Sequence, residues 1–263
     1  MSFKYKARRL DGRVAVITAA TDGIGYAIAE RLGHEGCRVV ISSRKKKNVE
    51  AAIKRLIESG LKAENVAGIE CHVGVGEQRA RLLEFAMEKF HSIDILINNA
   101  GISPVVGPLT EIDEPTWTKL FDVNVKAAFF LTQAAFKYMK LSGSGNVIFN
   151  ASYTAYDPPE GIALYGVTKT TLLAVTKAYA QSLAPFNIRV NAIAPGVIKT
   201  KMSEAMRDEK HKLNKRITPT RIDMQRFGSA HEVAATVAYL VSDDASYVTG
   251  ETVMVTGGMH SRL

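Results

Sequence analysis

The stretch V-A-V-I-T-A-A-T-D-G-I-G, which occupies residues 14–25, joins a short apolar run to a turn that contains two glycines. The run Val14–Thr18 is uninterrupted and rich in β-branched side chains, as in a strand that is buried on both faces. A helical pattern begins at Gly23 and extends to His34. A strand that passes through a glycine turn directly into a helix predicts the first half of a strand–helix–strand unit.

Strands and helices are predicted to alternate along the rest of the chain. The predicted strands are Val14–Thr18, Arg38–Ser42, Val66–His72, Ile93–Ile97, Asn146–Ala151, Ile188–Ile193 and Thr252–Val255. The predicted helices are Gly23–His34, Lys46–Ser59, Glu77–Phe90, Thr116–Lys140, Ile162–Leu183 and Ala230–Val241. This alternation predicts an α/β fold, a doubly wound Rossmann arrangement of about seven parallel strands with helices on both faces. Because no linker rich in Pro or Gly interrupts the 263 residues, we expect one domain over residues 1–263.

Composition and charge narrow the classes of function. No run of ~18 apolar residues is present, so we expect no membrane-spanning helix. The net charge of +8 would permit nucleic-acid binding, but the cations do not gather on one periodic face, and we expect no nucleic-acid partner. Cys37 and Cys71 lie in apolar, strand-like contexts. They are predicted to be buried free thiols in a reducing compartment, and no metal site is expected.

The glycine turn predicts a place for a phosphate group. Gly23 and Gly25 would let a pyrophosphate approach the backbone, and the helix that follows offers free N–H groups and a partial positive charge. Two glycines at this spacing are by themselves equally typical of a structural turn. Their position favours the functional interpretation, because a dinucleotide binds at the first strand-to-helix turn of such a sheet.

The end of the second predicted strand indicates which dinucleotide is bound. Residues 41–47 read I-S-S-R-K-K-K and contain no acid. NAD sites place a carboxylate here, roughly 20 residues after the glycine turn, whereas NADP sites use an arginine for the extra phosphate. Ser43 could donate a hydrogen bond to that phosphate, and Arg44 could bind it with two parallel bonds, with Lys45 beside them. The sequence therefore favours NADPH/NADP.

A tyrosine and a lysine supply candidate proton chemistry. Of the nine tyrosines only Tyr165 has a lysine four residues later, Lys169, which places both on one face of a predicted helix. A cation ~4 Å away contributes up to ~4 kcal/mol at an effective dielectric of ~20, enough to lower a phenol pKa substantially. Such a pair alone is as typical of a surface contact. Polar residues at the ends of two predicted strands, Asn98–Gly101 and Asn150–Ser152, favour a shared site, because ligands of open α/β sheets bind at that edge.

These motifs occur in a recognisable order. They are the glycine turn, Asn98–Gly101, Asn124, Ser152 thirteen residues before Tyr165, Lys169, and Pro195-Gly196 with Thr200. The chain resembles the short-chain dehydrogenase/reductase family over essentially its whole length. Within that family, residues 18–25, 42–45, 71–74 and 261–263 resemble the peroxisomal NADPH-dependent carbonyl and retinal reductases.

The resemblance implies a role for each matched residue. Tyr165 would donate the proton to the carbonyl oxygen, and Ser152 would hydrogen-bond that oxygen. Lys169 would lower the tyrosine pKa and hold the nicotinamide ribose, while Asn124 would position a water that links Lys169 to solvent. The cofactor-binding residues it implies are Thr18, Asp22, Gly23, Ile24, Gly25, Ser43, Arg44, Lys45, His72, Val73, Asn99, Ala100, Gly101, Tyr165, Lys169, Pro195, Gly196, Val197, Ile198 and Thr200.

Two departures from the family pattern carry expectations. Ala19 replaces the usual first glycine, and a left-handed backbone there would cost alanine ~1–2 kcal/mol, so we expect a right-handed conformation. His72 stands where many relatives have an aspartate that contacts adenine. The adenine contact at this position is therefore open.

Location, assembly and substrate are less directly encoded. Ser261–Leu263 resembles the S-K-L tripeptide, which predicts binding to the peroxisomal import receptor, with the cytoplasm as the alternative location. The resemblance also implies a homotetramer built through long helices. Tyr153–Leu164 is expected to line a pocket for a hydrophobic carbonyl substrate, such as a retinal-like polyene, an α-dicarbonyl or a steroid ketone, although these side chains could equally pack the loop. Residues 199–226 are polar and basic, as in a mobile cover or a plain surface excursion.

Two other functions stay open. The first is a peroxisomal enoyl- or dienoyl-CoA reductase whose CoA would contact basic residues of the cover, namely Lys199, Lys201, Arg207 and Lys210. Reduction of a C=C bond, however, does not require Ser152 beside Tyr165. The second is a nucleotide-sensing or RNA-binding protein without turnover, against which the complete set of catalytic residues argues.

Overall fold

Seven parallel strands form one sheet in a computed structural model that describes residues 8–103, 107–201, 203–204 and 222–259. The strands are β1 (Val14–Ile17), β2 (Arg38–Ser43), β3 (Val66–Glu70), β4 (Ile95–Asn98), β5 (Gly145–Asn150), β6 (Ile188–Pro195) and β7 (Thr252–Val255). Their order across the sheet is β3-β2-β1-β4-β5-β6-β7, and neighbouring strands pair in parallel. The predicted α/β fold is confirmed.

Helices cover both faces of this sheet. They are α1 (Gly23–His34), α2 (Lys46–Glu58), α3 (Gly76–Phe90), α4 (Glu114–Phe121), α5 (Ala127–Ser142), α6 (Ala163–Leu183) and α7 (Ala230–Val241). Ala15 and Ile17 of β1 pack with residues of α1, α2 and α7, whereas Val14 and Val16 pack with α3, α5 and α6. Successive side chains of a strand point to opposite faces, so β1 must be apolar at every position. None of the helices in the described ranges is long and apolar enough to cross a bilayer.

The predicted helix Thr116–Lys140 is not continuous. It ends as α4 at Phe121, passes through a π-helical turn at Asp122–Lys126 and resumes as α5. A π-helical turn carries one more residue per turn than an α-helix and is often found at functional sites. The turn brings Asn124 to a fully buried position near the end of β4.

The strand order reverses between β1 and β4. Strand β1 pairs with β2 on one side and with β4 on the other, so the two halves of the sheet extend from β1 in opposite directions. A crevice opens beyond the carboxyl ends of the strands at such a point, and that is where α/β sheets bind ligands. The residues that follow β1, β4, β5 and β6 meet at this edge and form the site.

Candidate active site

The turn between β1 and α1 is shaped for close approach to the backbone. The carboxylate of Asp22 caps α1 by accepting a hydrogen bond from the Gly23 amide at 2.8 Å. A Cβ at Gly25 would lie 2.4 Å from Asn99 Nδ2 and 2.6 Å from the Ala19 oxygen, so only glycine fits. Backbone amides at a helix N-terminus, with no side chain in the way, suit the pyrophosphate of a dinucleotide.

Ala19 departs from our expectation. Its φ is +50°, so the right-handed conformation predicted for this residue is wrong. Residues that do not belong to the turn hold it in this conformation. Asn99 Nδ2 donates hydrogen bonds to the carbonyl oxygens of Thr18 and Ala19 at 2.9 and 3.1 Å. The Ala20 amide also donates to the Ser42 oxygen at 3.0 Å. These bonds offset the ~1–2 kcal/mol that a left-handed alanine costs.

Thr18 connects the glycine turn to the end of β4 by hydrogen bonds. Its side chain is buried, and Oγ1 accepts hydrogen bonds from the amides of Asn99 and Ala100, both at 3.0 Å. Thr18 Oγ1 also donates to the Ile97 oxygen at 3.2 Å. Thr18 therefore joins β1 to the end of β4, and its contact with the cofactor stays a prediction.

Ser152, Tyr165 and Lys169 meet in one cleft. Ser152 follows β5, and the other two lie one helical turn apart on α6. The Lys169 side chain is 2% exposed, and its Nζ donates a 2.6 Å hydrogen bond to the main-chain oxygen of Asn150. The same nitrogen lies 5.5 Å from the centroid of the Tyr165 ring. The three residues predicted to carry the chemistry are thus brought together.

Burial dominates the electrostatics of this group. Burial raises the pKa of Tyr165 to about 12, although a hydrogen bond with Ser152 acts to lower it. Burial lowers the pKa of Lys169 to about 8. Burial outweighs the bond with Ser152, so the pKa of Tyr165 lies above its ordinary value, and the lowering of this pKa by Lys169 stays a prediction. At neutral pH the phenol holds its proton and the lysine is mostly charged.

Asn124 connects three elements around Lys169. Its Oδ1 accepts a hydrogen bond from the Ile102 amide at 2.8 Å, and its Nδ2 donates to the Ile102 oxygen and to Thr168 Oγ1, both at 3.0 Å. A Cβ at Gly101 would lie 3.2 Å from Lys169 Nζ and 3.5 Å from Asn124 Oδ1. Asn124 and Lys169 therefore approach the same glycine, and the water-positioning role of Asn124 stays a prediction.

The far wall of the cleft follows β6. Pro195, Gly196, Val197, Ile198 and Thr200 line it, together with residues of the next segment. Lys201 Nζ lies 2.6 Å from Asp22 Oδ2, so this segment reaches across the cleft mouth to the glycine turn. Of the predicted cover 199–226, residues 202 and 205–221 lie outside the described residues, and so do Arg207 and Lys210.

The end of β2 presents cations and no acid. Ser43 closes the strand, and Arg44 and Lys45 follow it on the exposed surface. Helix α2 starts at Lys46 without a side-chain capping bond and without an acidic residue in its first turn, so far as the described residues show. A bare helix N-terminus beside an arginine favours an anion. This arrangement fits the extra phosphate of NADP.

His72 stands beyond β3, outside the cleft. Its Nδ1 accepts a hydrogen bond from the Gly74 amide at 3.1 Å, and its main-chain amide donates to Gln78 Oε1 at 2.6 Å. The imidazole lines a shallow groove against α4. An Nδ1 that accepts leaves Nε2 as the donor, whereas an aspartate at this position would accept.

The predicted cofactor residues fall into two groups. Those that line the cleft are Asp22, Gly23, Ile24, Gly25, Asn99, Gly101, Tyr165, Lys169, Pro195, Gly196, Val197, Ile198 and Thr200. Those outside its walls are Thr18, Ser43, Arg44, Lys45, His72, Val73 and Ala100. The residues of this second group come at or directly after the ends of β1, β2, β3 and β4. The adenosine half of a dinucleotide would extend along this side of the sheet.

Asn150 and Thr154 lie in stretches that the sequence predicted for the site, but neither was given a role of its own. Asn150 holds Lys169 through its main-chain oxygen, and its Nδ2 donates to Asn99 Oδ1 at 2.8 Å. Thr154 lines the cleft with a buried hydroxyl that has no partner in the described part of the chain. The position of Asn150 at the end of β5 was the available signal. Of the segment Tyr153–Leu164, the cleft-lining residues are Tyr153, Thr154 and Ile162.

Comparisons with known proteins agree with this geometry. The family model described as Enoyl-(Acyl carrier protein) reductase matches residues 18–260. A protein of Caenorhabditis elegans named Dehydrogenase/reductase SDR family member 4 is 51% identical over 257 residues, which cover 97% of this chain and 98% of that relative. The chain belongs to the short-chain dehydrogenase/reductase family.

Other short-chain dehydrogenases/reductases confirm the extent of the match. The human Dehydrogenase/reductase SDR family member 4 is 45% identical over 97% of this chain and 90% of its own length. A solved structure from Brucella melitensis, titled as a short-chain dehydrogenase/reductase of the glucose/ribitol dehydrogenase type, superposes with a TM-score of 0.87 at 30% identity and covers 96% of this chain and 98% of that one. As a member of this family the protein is an oxidoreductase that uses a nicotinamide cofactor, NAD(H) or NADP(H).

Proposed function

We propose that this protein is an NADPH-dependent reductase of aldehydes and ketones that also catalyses the reverse oxidation of alcohols. The observation that carries the proposal is the buried group Ser152, Tyr165 and Lys169 in the cleft of the glycine turn. A carbonyl reductase requires a proton donor at the oxygen that becomes the alkoxide. A phenol with a pKa of about 12 is protonated at neutral pH and can serve as that donor.

Ser152, Tyr165 and Lys169 each have a separate role in the proposed reaction. The nicotinamide cofactor, when bound, supplies the hydride that adds to the carbonyl carbon. Ser152 orients the carbonyl oxygen by a hydrogen bond, and Tyr165 transfers its proton to that oxygen. Lys169 places a positive charge beside the phenolate that remains, and the Asn150 oxygen fixes the ammonium. The charge is most effective here because the group is buried.

NADPH is the proposed cofactor because of the surface at the end of β2. Ser43, Arg44 and Lys45 offer hydrogen bonds and positive charge, and residues 41–47 contain no carboxylate that would repel the extra phosphate. A carboxylate at this position would instead select NAD.

A panel of substrates with NADPH consumption as the readout tests the proposal. It contains retinal, an α-dicarbonyl, a 3-ketosteroid and an enoyl-CoA. We expect reduction of at least one of the three carbonyl compounds and faster oxidation of NADPH than of NADH. Turnover confined to the enoyl-CoA would replace the proposal with C=C reduction, the activity in the name of the matching family model. The presence of Ser152 beside Tyr165 in the cleft favours the carbonyl, because reduction of a C=C bond does not require that hydroxyl.

Peroxisomal location and tetramer formation complete the proposal. Ser261–Leu263, the predicted recognition signal for the import receptor, lie outside the described residues. Deletion of this tripeptide should disperse the protein into the cytoplasm, the alternative location, and continued import would contradict the assignment. A homotetramer is supported by half-exposed apolar side chains on α5 and α6, namely Phe129, Phe130 and Val167. Light scattering of the purified protein measures this directly.

A further inference from the structure

Asn150 contacts two parts of the cleft, the buried group around Lys169 and the residues that hold the glycine turn. It is the last residue of β5 and is 9% exposed. Its main-chain oxygen accepts the 2.6 Å hydrogen bond from Lys169 Nζ. Its side-chain Nδ2 donates to Asn99 Oδ1 at 2.8 Å. Asn150 therefore binds the lysine through its backbone and the end of the neighbouring strand β4 through its side chain.

Asn99 connects Asn150 to the glycine turn. Its Nδ2 donates to the carbonyl oxygens of Thr18 and Ala19 at 2.9 and 3.1 Å. A Cβ at Gly25 would lie 2.4 Å from the same nitrogen, so the amide packs directly against the start of α1. Ala19 has a φ of +50°, a conformation that is unfavourable for alanine without such support. The orientation of the Asn99 amide therefore supports the shape of the turn.

The bond from Asn150 determines which end of the Asn99 amide faces the turn. A side-chain amide has one acceptor end and one donor end, and only the donor end can hold the two carbonyl oxygens. Because Asn150 Nδ2 binds Oδ1 of Asn99, the donor end is directed to the turn. Without this bond Oδ1 would lose its partner, and rotation of the amide towards water would remove Nδ2 from the turn oxygens.

The side chain of Asn150 carries a penalty that packing does not explain. Its Oδ1 is buried and has no hydrogen-bond partner in the part of the chain that the structure describes. A buried oxygen without a partner disfavours folding, and an apolar side chain of similar shape would avoid this penalty. The bond to Asn99 gives the asparagine a reason that the interior of the sheet does not supply.

We propose that Asn150 is a positioning residue for the cofactor. Through Asn99, its side-chain amide keeps Ala19 in the left-handed conformation that leaves the backbone amides at the start of α1 open to a pyrophosphate. This inference rests on the proposed binding of NADPH. The oxygen that holds Lys169 belongs to the main chain and is present whatever the side chain. Loss of the side-chain amide should therefore weaken cofactor binding more than it slows the chemical step.

The first test measures the Kd for NADPH from its fluorescence. Asn150→Leu resembles the wild type in shape but lacks the donor, and we expect its Kd to rise about 10-fold. The value of kcat at saturating NADPH should fall by a smaller factor. Asn146→Leu is the matched control, because Asn146 is also a buried residue of β5 whose Oδ1 lacks a partner among the described residues. Its Kd should stay within about 2-fold of the wild-type value.

A double-mutant cycle separates positioning from general damage to the fold. Glycine adopts a positive φ without steric cost, so Ala19→Gly makes the turn less dependent on Asn99. In the Ala19→Gly background, Asn150→Leu should change the Kd by no more than about 2-fold. A merely structural role predicts the same rise in both backgrounds. Asn150→Ala also removes the donor and should repeat the pattern, and it takes the place of Asn150→Leu if that variant does not fold.

The Tm of each variant shows that the proteins compared are folded at the temperature of the assay. An unchanged Kd in the Asn150 variants, or an equal rise with and without Ala19→Gly, overturns the positioning role. A wild-type protein that does not bind NADPH overturns the proposed function itself and with it this inference.

Discussion

Tyr165 and Lys169 share one buried environment that moves their pKa values in opposite directions. The phenol is driven towards its protonated form and the ammonium towards its neutral form. Desolvation always disfavours the charged state, which is why an acid and a base respond oppositely. In the proposed reaction, Tyr165 would therefore give its proton to the carbonyl oxygen, and the resulting phenolate would be stabilised only while Lys169 keeps its charge.

Replacement of the phenol tests the assigned acid. Tyr165→Phe should lower kcat for carbonyl reduction by about 10²–10⁴-fold, because the proton donor is lost. The affinity for NADPH should change by no more than a few-fold, as measured by fluorescence titration. Tyr239→Phe on α7 serves as the control. Substantial reduction by Tyr165→Phe would refute the assignment.

The charge of Lys169 predicts a pH dependence. Reduction should slow as the pH rises above about 8, where the buried ammonium loses its proton. The folded pKa lies below the value of ~10.4 in an unfolded chain, so the unfolded state binds more protons in this range. The contribution of Lys169 to the free energy of unfolding therefore increases from pH 8 towards 10. The decrease in rate cannot come from unfolding of the protein through the deprotonation of Lys169. A pH profile of kcat, with unfolding followed in parallel, checks both directions. Residual activity of Lys169→Arg should lack this decrease.

Arg44 tests the choice of cofactor. Arg44→Ala should reduce the preference for NADPH over NADH about 10- to 100-fold, because a charge-assisted bond to the extra phosphate contributes roughly 1.5–3 kcal/mol. The ratio of the two kcat/KM values is the quantity to measure. Lys62→Ala, on the exposed surface after α2, is a control for general loss of positive charge. An unchanged ratio in Arg44→Ala would mean that the phosphate lies elsewhere.

At the scale of elements, the sequence predicted the strands closely and missed two local features. Helix and strand periodicity identified seven strands and their helices, because β-branched runs and amphipathic runs differ in period. The π-helical turn at Asp122–Lys126 was not predicted, because the chain stays helical on both sides of it in α4 and α5. The backbone conformation of Ala19 was predicted wrongly, because it is held by a hydrogen bond from Asn99, which is distant in the sequence and follows the neighbouring strand β4. Non-local contacts decide both features.

The glycine turn offers a direct measurement of that imposed strain. Ala19→Gly should stabilise the protein by up to about 1 kcal/mol, because glycine removes the left-handed cost of ~1–2 kcal/mol but adds ~0.5–1 kcal/mol of chain entropy. Urea unfolding of the two proteins gives the difference. Ala20→Gly, at the next position, should be destabilising. A decrease for Ala19→Gly equal to that for Ala20→Gly would argue against a strained turn.

Across the whole molecule, the residues that meet in the cleft were predictable and their electrostatics were not. Spacing placed Tyr165 and Lys169 on one helix face, and the polar strand ends together with the family resemblance assigned that pair to a site. Their burial depends on the packing of β5, α6 and the segment after β6, which no pattern in the sequence specifies.

An ion-pair network joins the two ends of the described chain. Arg9 binds Glu35 at 2.6 Å and Asp244 at 2.9 Å, and Arg31 binds Glu35 at 2.8 Å. Burial alone would raise the pKa of Glu35, but the bonds from Arg9 and Arg31 outweigh it and lower the pKa. The folded pKa lies below the unfolded one, so this stabilisation is present at neutral pH and is lost as the pH falls through the folded value.

Glu35→Gln should therefore reduce the free energy of unfolding at pH 7 by roughly 1–2 kcal/mol and reduce it less in acid. Denaturant unfolding at pH 7 and pH 3 measures the difference. Asp11→Asn breaks the exposed pair with Arg8 and should cost under about 1 kcal/mol. Equal losses at both pH values in Glu35→Gln would contradict a role for its charge.

The anchor of Lys169 has a consequence for enzyme engineering. The ammonium is held by a peptide oxygen of β5, and every amino acid supplies that oxygen. A library at position 150 would thus keep the anchor of Lys169, although each substitution removes the bond from Asn150 Nδ2 to Asn99 Oδ1. Changes on the opposite side, at Gly101, have no such freedom, because any added carbon would press on the lysine nitrogen.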